Sequence, residues 1–341
     1  MCKIWAGQNM LMVTEEVASR LLTMREAIDA IEDAFLRLHR RDGKTFPVVA
    51  GHGCSDNTFF GVKSGVIESL ASVGFKVGTY WPVNRSRGQS AHASTTLLLD
   101  AETGFLRALL ASSHLTALRT AAADGVAIRH LARADSTVVG LVGAGHQAWF
   151  ELLAACEVRP IERVLIWNRA GPAAQSLADR ARKELNIDAA PAALRDVVEA
   201  ADIVITATAS REPLVNREWV RPGTHVSAMG SDAVGKQELS AELVAAGRLF
   251  ADVIDQSITL GDYEAAFQSN GIDRSDIIPI GAVIAGDIRG RSDAKEITIF
   301  DSSGTALQDL AIGEIALAKA MAQGLAESVD TVGKSMTASA R

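Results

Sequence analysis

The sequence predicts an α/β protein in which a doubly wound parallel sheet is inserted into a smaller α+β domain. Three observations lead to this prediction. A glycine-rich turn joins a buried strand to a helix near residue 143, strands and helices alternate from residue 136 to about 300, and residues 45–110 have a different, β-rich character.

The glycine-rich turn lies within the stretch Ser136-Thr-Val-Val-Gly-Leu-Val-Gly-Ala-Gly-His-Gln-Ala148. Its second half fits G-x-G-x-x-G/A, the dinucleotide-binding fingerprint of Rossmann-type domains. Gly143 permits a tight turn, Gly145 lets the backbone approach a pyrophosphate, and Ala148 keeps the helix close to the strand. The amides at the helix start then face the phosphates. The alternative is a glycine turn that only packs a βαβ unit. The cofactor-binding residues predicted from this turn are Gly143, Ala144, Gly145, His146 and Gln147.

Short apolar runs recur after the turn, separated by segments of helical character, which predicts a parallel sheet. We assign residues 126–305 to this Rossmann domain. Its predicted strands are Val138–Val142, Arg163–Trp167, Ile203–Thr206, His225–Ala228, Leu249–Ala251 and Thr298–Phe300.

Residues 1–125, completed by 306–341, are predicted to form the second domain. Residues 14–41 are expected to be one amphipathic helix, because Ile28, Ile31, Phe35 and Leu38 recur at helical spacing. A turn at 100–104 between two apolar runs predicts a β-hairpin. Further expected elements are strands at Phe59–Lys63, Gly74–Thr79 and Ser94–Leu99, helices at Leu115–Leu131 and Leu307–Gly324, and a frayed polar tail from Ala326.

Composition excludes several classes of function. A net charge of -7 without a basic stripe argues against nucleic-acid binding. Cys2, Cys54 and Cys156 have neither metal nor disulfide spacing, so we expect no metal site and a reducing compartment. No targeting segment and no run of 18 apolar residues is found, so we expect a cytoplasmic protein with no membrane partner. No G-x-S-x-G motif indicates acyl transfer.

The end of the second predicted strand bears on the choice of dinucleotide. Enzymes that use NAD often have Asp or Glu there for the ribose hydroxyls, whereas a nearby Arg can hold a 2′-phosphate. This chain has neutral Asn168 followed by cationic Arg169. These residues favour NADPH or tolerance of both dinucleotides, and the predicted cofactor is NAD(H) or NADP(H).

Five motifs in order along the chain resemble the ornithine cyclodeaminase/μ-crystallin family, over nearly the whole length. Within the family the chain is most similar to bacterial iminosuccinate reductases, on Phe46-Pro-Val-Val49, Gly78-Thr-Tyr-Trp-Pro-Val-Asn84 and Met229-Gly-Ser-Asp232. The five motifs are Leu115-Thr-Ala-Leu-Arg-Thr-Ala-Ala-Ala123, Gly143-Ala-Gly-His-Gln147, Thr206-Ala-Thr-Ala-Ser210, Met229-Gly-Ser-Asp-Ala-Val-Gly-Lys-Gln-Glu-Leu239 and Thr298-Ile-Phe-Asp-Ser-Ser-Gly-Thr-Ala-Leu-Gln-Asp-Leu310.

The resemblance implies an NAD(P)H-dependent imine reductase that converts iminosuccinate into L-aspartate and can run in reverse as an amino-acid dehydrogenase. An ornithine cyclodeaminase-type lyase that uses NAD+ catalytically, or another ketimine reductase or amino-acid dehydrogenase, is an alternative in the same family. A small-ligand binding protein of the μ-crystallin type is an alternative of another class. The resemblance also implies a homodimer formed through the antiparallel segment of the first domain.

Imine reduction needs a proton source and cations for the carboxylates. Asp232 matches the family's catalytic aspartate, and an Asp in a partly apolar cleft could exchange a proton. A turn or cap aspartate is the alternative. Lys76 matches the family's substrate lysine and is a second catalytic candidate, with a solvent-facing strand lysine as the alternative. Arg119, inside an apolar helix, could hold a carboxylate or form a structural salt bridge. Lys63 is a weaker substrate-binding candidate of the same kind.

His92 is a further substrate-binding candidate, although a lone histidine is more often structural. Lys236, four residues after Asp232, is expected near the cofactor and would otherwise be a solvated lysine. Many family members carry an arginine shortly after the proline equivalent to Pro47; here only His52 is titratable nearby. Either the substrate α-carboxylate is bound by Lys76 and Arg119, or the substrate differs from that of the close relatives. The remaining residues expected at the cofactor are Thr120, Thr206, Ala207, Thr208, Met229, Ser302 and Ser303.

Overall fold

The computed structural model of the protein describes residues 9–330, and its contacts divide the chain into two compact units. Unit 1 contains the described residues of 1–23, 40–116 and 305–341, and unit 2 contains 24–39 and 117–304. The sequence predicts domain boundaries at residues 125/126 and 305/306. In the structure the two units meet along the chain at 116/117 and 304/305, and residues 24–39 belong to unit 2. Cys2 and the residues after 330 lie outside the described part.

Unit 1 is built on a mixed sheet of eight strands in the order β18-β1-β7-β6-β5-β4-β2, with β3 also paired to β4. Strands β4 to β7 form an antiparallel meander, and β1 pairs parallel to β7 and antiparallel to β18. Elements are numbered in chain order. The strands are β1 Asn9–Val13, β2 Gly43–Thr45, β3 Val49–Gly51, β4 Phe59–Ile67, β5 Ser72–Tyr80, β6 His92–Leu99, β7 Leu106–Ala111 and β18 Glu327–Asp330; the helices are α1 Glu15–Ala18 and α11 Ala306–Ala322.

Helix α11 packs on the meander of unit 1. At its start the Thr305 amide donates to the Gln308 side chain at 3.3 Å, and the first eight residues of the helix are buried. Small residues on the strands allow this close approach. A Cβ at Gly65 would lie 3.0 Å from Leu307 Cδ1, and one at Gly74 would lie 3.1 Å from Leu310 Cδ2. The helix is therefore fixed over β4 and β5 by steric fit.

Unit 2 is a parallel sheet of eight strands in the order β10-β9-β8-β11-β13-β17-β15-β16, with a two-stranded sheet of β12 and β14. The strands are β8 Val138–Val142, β9 Arg163–Trp167, β10 Asp188–Pro191, β11 Ile203–Thr206, β12 Arg211–Val215, β13 His225–Ala228, β14 Gln237–Leu239, β15 Arg248–Ala251, β16 Ile277–Pro279 and β17 Thr298–Asp301. The helices are α2 Met24–His39, α3 Ser113–Leu131, whose first turn lies before the boundary at 116/117, α4 His146–Val158, α5 Gly171–Leu185, α6 Leu194–Ala200, α7 Ala241–Ala246, α8 Ile254–Ser257, α9 Glu264–Gln268 and α10 Ile280–Ile284.

The strand order of unit 2 reverses between β8 and β11. In doubly wound sheets the ligand crevice lies outside the carboxyl ends of the strands at such a switch point. The carboxyl ends of β8, β11, β13 and β17 are neighbours in the sheet and lead into residues 143–145, 207–208, 229–232 and 302–304. Most of the cofactor residues predicted from the sequence therefore lie at one edge of unit 2.

The predicted fold class is confirmed, and two local predictions are wrong. The helix expected over residues 14–41 is broken into α1 and α2, with a turn at 19–23 whose Leu21 and Leu22 are buried. The tail after Ala326 is not frayed throughout, because β18 pairs with β1 over four residues. No helix among residues 9–330 combines the length and apolar character needed to cross a membrane.

Candidate active site

The turn after β8 has the geometry of a phosphate cradle. Gly143 has φ +114°, and a Cβ there would lie 2.7 Å from the Ala207 carbonyl oxygen, so no other residue fits. Gly145 is the N-cap of α4 and supplies no side-chain cap, and nothing lies within 4 Å of a Cβ built on it. Ala148 is fully buried. The first amides of α4 can therefore receive an anionic group, and the residues present fit the pyrophosphate of a dinucleotide.

Asn168 is held against this turn. Its Oδ1 accepts a hydrogen bond from the Ala144 amide at 3.2 Å, and its Nδ2 donates to the Ala170 carbonyl at 3.0 Å. Arg169, the next residue, is exposed. No Asp or Glu occurs between residues 164 and 178. The end of β9 therefore offers a cation and no carboxylate to a bound ribose.

Gln147 turns inward rather than toward the phosphate cradle. Its Nε2 donates to the Ala117 carbonyl at 3.1 Å and to Glu151 Oε1 at 2.7 Å, so both donors are used within unit 2. Glu151 is fully buried, as is Asp124 on α3. Burial raises the pKa of Glu151 well above its usual range, and the Asp124 carboxyl adds to the shift. Burial raises the pKa of Asp124 to about 7. Both shifts favour the protonated forms of these buried carboxyl groups.

His146 stands at the start of α4 and is exposed. Its ring meets Phe150 edge to face, with ring centroids 5.0 Å apart. The residue is therefore at the predicted turn, with its imidazole packed on the helix that follows.

Asp232 and Lys236 form an ion pair next to the carboxyl end of β13. Lys236 Nζ is 2.5 Å from Asp232 Oδ1 and donates to the Gly230 carbonyl at 3.2 Å. The Asp232 side chain is 62% exposed, so the partly apolar surroundings expected from the sequence are not found around it. A carboxylate paired with an ammonium group can still exchange a proton with a ligand.

A buried glutamate that the sequence analysis did not single out lies behind this segment. Glu238 on β14 accepts hydrogen bonds from Thr206 Oγ1 at 2.7 Å, the Thr208 amide at 2.7 Å and the Gly230 amide at 2.9 Å. Burial raises its pKa to about 7, and nearby Asp262 adds to the shift, while the bonds from Thr208 and Thr206 lower it. The segment that follows Lys236, Gln237-Glu-Leu-Ser-Ala-Glu242, has no apolar pattern that would mark Glu238 as buried.

The predicted residues Thr206, Ala207, Thr208 and Met229 lie at the adjacent carboxyl ends of β11 and β13. Thr206 and Met229 are buried, whereas Ala207 and Thr208 are half-buried. The Thr206 hydroxyl is committed to Glu238, so its part is to hold the strand end.

Arg119 is 6% exposed and lies against Gly304. Gly304 has φ +81°, and a Cβ there would lie 3.1 Å from Arg119 Cζ. Asp252 holds this turn, because its Oδ2 accepts from the Ser302 hydroxyl at 2.7 Å and from the Gly304 amide at 2.8 Å. Ser303 donates to Gln256 at 2.8 Å. Thr120, next to Arg119, is half-buried.

Lys76 and Lys63 are neighbours in unit 1. They are directly opposite in the β4–β5 register, so both side chains project from one face of the sheet. Lys76 Nζ lies 3.0 Å from Asp309 Oδ1 on α11, and the two side chains are 7% and 2% exposed. The solvent-facing alternative for Lys76 is therefore wrong. Lys63 is half-buried.

The two candidate histidines of unit 1 are exposed. His92 pairs with Tyr80 in the β5–β6 register, and their ring centroids are 4.6 Å apart. It lies four strand positions, roughly 13 Å, from the register pair of Lys76 and Thr96. His52 Nδ1 lies 2.8 Å from the Thr58 carbonyl, which fixes the ring and leaves Nε2 for other partners. Within residues 9–330, no three His, Cys, Asp or Glu side chains are arranged to hold a metal ion.

Comparisons with known proteins give a consistent result. Residues 7–323 match the model of the ornithine cyclodeaminase/mu-crystallin family. The chain is 39% identical to an iminosuccinate reductase of Paracoccus denitrificans, over 94% of this chain and 100% of the relative. It is 32% identical to an alanine dehydrogenase of Archaeoglobus fulgidus, over 94% of this chain and 98% of the relative.

Solved structures agree in fold. The crystal structure of the Paracoccus iminosuccinate reductase in complex with NAD+ matches with a TM-score of 0.90, over 95% of this chain and 100% of the other. A Thermococcus litoralis Δ1-pyrroline-2-carboxylate reductase in complex with NADH and L-proline matches with a TM-score of 0.90 at 32% identity, over 94% of this chain and all of the other. With its phosphate cradle, its five motifs and these relatives, the chain belongs to the ornithine cyclodeaminase/mu-crystallin family.

Proposed function

We propose that this protein is an NAD(P)H-dependent imine reductase that converts iminosuccinate into L-aspartate and can run in reverse. The proposal rests on one observation: the phosphate cradle and an acid/base candidate lie at the same edge of the sheet of unit 2. The phosphate cradle follows β8, and the Asp232–Lys236 pair follows β13. The relative from Paracoccus supports the choice of iminosuccinate.

The chemistry divides between the cofactor and the chain. A bound NAD(P)H supplies the hydride that adds to the imine carbon. The first amides of α4, after Gly143 and Gly145, hold the pyrophosphate. Asp232 moves the proton to or from the substrate nitrogen, and Lys236 keeps that carboxylate oriented at 2.5 Å.

The two substrate carboxylates need cations. Arg119 has a planar guanidinium suited to a carboxylate, and it lies against the turn at Gly304. Lys76, Lys63 and His92 are the other proposed substrate-binding residues. Because the arginine common after the proline equivalent to Pro47 is missing, we assign more of the carboxylate binding to Arg119 and Lys76.

The test is a coupled measurement of cofactor oxidation and product. The protein is incubated with oxaloacetate, excess ammonium and NADH or NADPH, and absorbance of the reduced nicotinamide is followed while aspartate is quantified. Stoichiometric oxidation with aspartate formed is the expected result. Oxidation only with pyruvate or a cyclic imine would overturn the substrate. Ammonia released from ornithine without net change in NADH would favour the lyase, and tight cofactor binding without turnover would favour a binding protein.

We further propose a homodimer that forms through unit 1. Exposed apolar side chains lie before β3, on it and at the start of β4, with exposed fractions of 51% for Phe46, 62% for Val49 and 39% for Phe59. An archaeal alanine dehydrogenase of this family is a dimer. Light scattering on the wild type and on Val49→Lys is the test; a wild-type monomer would refute it.

The free thiols of Cys54 and Cys156 support a cytoplasmic location.

A further inference from the structure

Three buried carboxylates form a chain behind the Asp232 segment, which we call the carboxylate chain: Asp301, Asp262 and Glu238. Asp301 Oδ1 accepts from the Asp262 amide at 3.0 Å. Asp262 Oδ1 accepts from the amides of Glu238 and Leu239 at 2.7 and 2.8 Å. All three residues are at most 1% exposed. The carboxylate chain links the end of β17 to β14, and thus fixes where Glu238 stands.

Glu238 in turn joins two separate strand ends. One oxygen accepts from the Thr208 amide, beyond β11, and the other accepts from the Thr206 hydroxyl and from the Gly230 amide, beyond β13. The approach at Gly230 is close, because a Cβ there would lie 2.5 Å from Glu238 Oε2. Asp232 is two residues further along. A shift of Glu238 would therefore be transmitted directly to the Asp232 segment.

We propose that Glu238 is the positioning residue of this site: by joining the ends of β11 and β13, it sets the Gly230–Asp232 segment for proton transfer. The inference rests on the proposed imine-reductase function and extends it to a residue with no contact to the reacting atoms. Each carboxylate oxygen of Glu238 accepts from a backbone amide, Thr208 on one side and Gly230 on the other. In Glu238→Gln one of these amides would face the side-chain NH₂ group, which donates and cannot accept.

The charged surroundings of Glu238 give this role a pH dependence. Burial raises the pKa of neighbouring Asp262, and the Lys236 cation partly offsets that rise. Asp301, Asp252 and Tyr263 belong to the same cluster. Asp232, bonded to Lys236, faces solvent. Because burial raises the pKa of Glu238 to about 7, the ionised form, which accepts the bonds from the two amides more strongly, is lost as pH falls below 7. Turnover should therefore decline on the acid side of neutrality.

The test compares Glu238→Gln with Glu212→Gln, a matched control. Glu212 lies on β12, the strand paired with β14, and is exposed. Hydrogen–deuterium exchange of the Thr206–Thr208 and Gly230–Asp232 segments is measured together with kcat and KM at pH 8. For Glu238→Gln we expect faster exchange in both segments, kcat lower by about tenfold to hundredfold, and KM for the imine within about threefold. The control should match the wild type.

The outcomes separate the two proposals. A wild type that reduces no imine would overturn the function and this inference with it. An active wild type whose Glu238→Gln variant keeps its kcat, or loses only thermal stability, would overturn the inference alone. The fall in kcat below pH 7 should also disappear in Glu238→Gln. If the fall persists in this variant, the inference about Glu238 is overturned as well. If Glu238→Gln does not fold, Thr206→Val removes one of the three donors and should give the same changes at smaller amplitude.

Discussion

Replacement of Lys76 by methionine should destabilise unit 1 strongly, because the lysine is one half of a buried ion pair. Its Nζ lies 3.0 Å from Asp309 Oδ1, and the side chains are 7% and 2% exposed. Methionine fills a similar volume but leaves the Asp309 carboxylate without that ammonium. Breaking a buried pair from one side costs about 3–5 kcal/mol. At about 2–4 °C per kcal/mol, the expected fall in Tm is about 6–20 °C.

Differential scanning calorimetry of the full chain measures this shift, with Lys44→Met as the matched control. Lys44 pairs with Glu68 at 2.5 Å in the same unit, but these side chains are 61% and 53% exposed. Such surface pairs contribute at most about 1 kcal/mol. The double variant Lys76→Met/Asp309→Leu should recover most of the lost stability, because it removes both charges. If Lys76→Met lowers Tm no more than Lys44→Met does, the reasoning about this pair is refuted.

Three further predictions concern the site of unit 2. Asp232→Asn should lower kcat by about 10²–10⁴-fold and leave the Kd for NADH unchanged in a fluorescence titration; near wild-type turnover would remove Asp232 from the proton-transfer role. Arg169→Ala should weaken NADPH binding by about tenfold or more and leave NADH binding unchanged, whereas equal effects on both would exclude a 2′-phosphate contact. Burial raises the pKa of Asp124 from its ordinary 3.8 to about 7, so the folded protein keeps a proton that the unfolded chain loses; stability should fall as pH rises from about 4 to 7. Urea unfolding of Asp124→Asn should show a weaker fall over that range, and an identical slope would contradict the raised pKa of Asp124.

For four strands of the parallel sheet, β8, β9, β11 and β13, both predicted end residues agree with the structure. Each is a short apolar run bounded by Gly, Asn or other polar residues, and each is buried almost throughout. In such a strand the apolar sequence pattern matches the buried environment, so the pattern alone is enough to predict the strand. The same holds for Gly143, whose turn demands a positive φ wherever the rest of the chain lies.

Local sequence patterns do not predict an element whose conformation depends on contacts with residues far away in the sequence. The apolar periodicity that predicted one helix over 14–41 resides in α2, because Ile28, Ile31 and Phe35 are the buried positions. Helix α1 and the turn after it belong to the other unit. Strand β18 is largely exposed and polar, and its order comes from main-chain pairing with β1. Neither feature has a local sequence signal.

The site divides in the same way. Local sequence features predict the parallel sheet, the glycine-rich turn and the residue types available for imine chemistry, because hydrophobic periodicity, glycine geometry and side-chain chemistry are local properties. Three features become visible only in three dimensions: Lys76 is buried against Asp309, Gln147 turns inward to Glu151, and Glu238 joins two strand ends. These outcomes depend on which distant groups share a low-dielectric interior, where a charge or donor must find a partner, and a linear pattern does not encode that proximity.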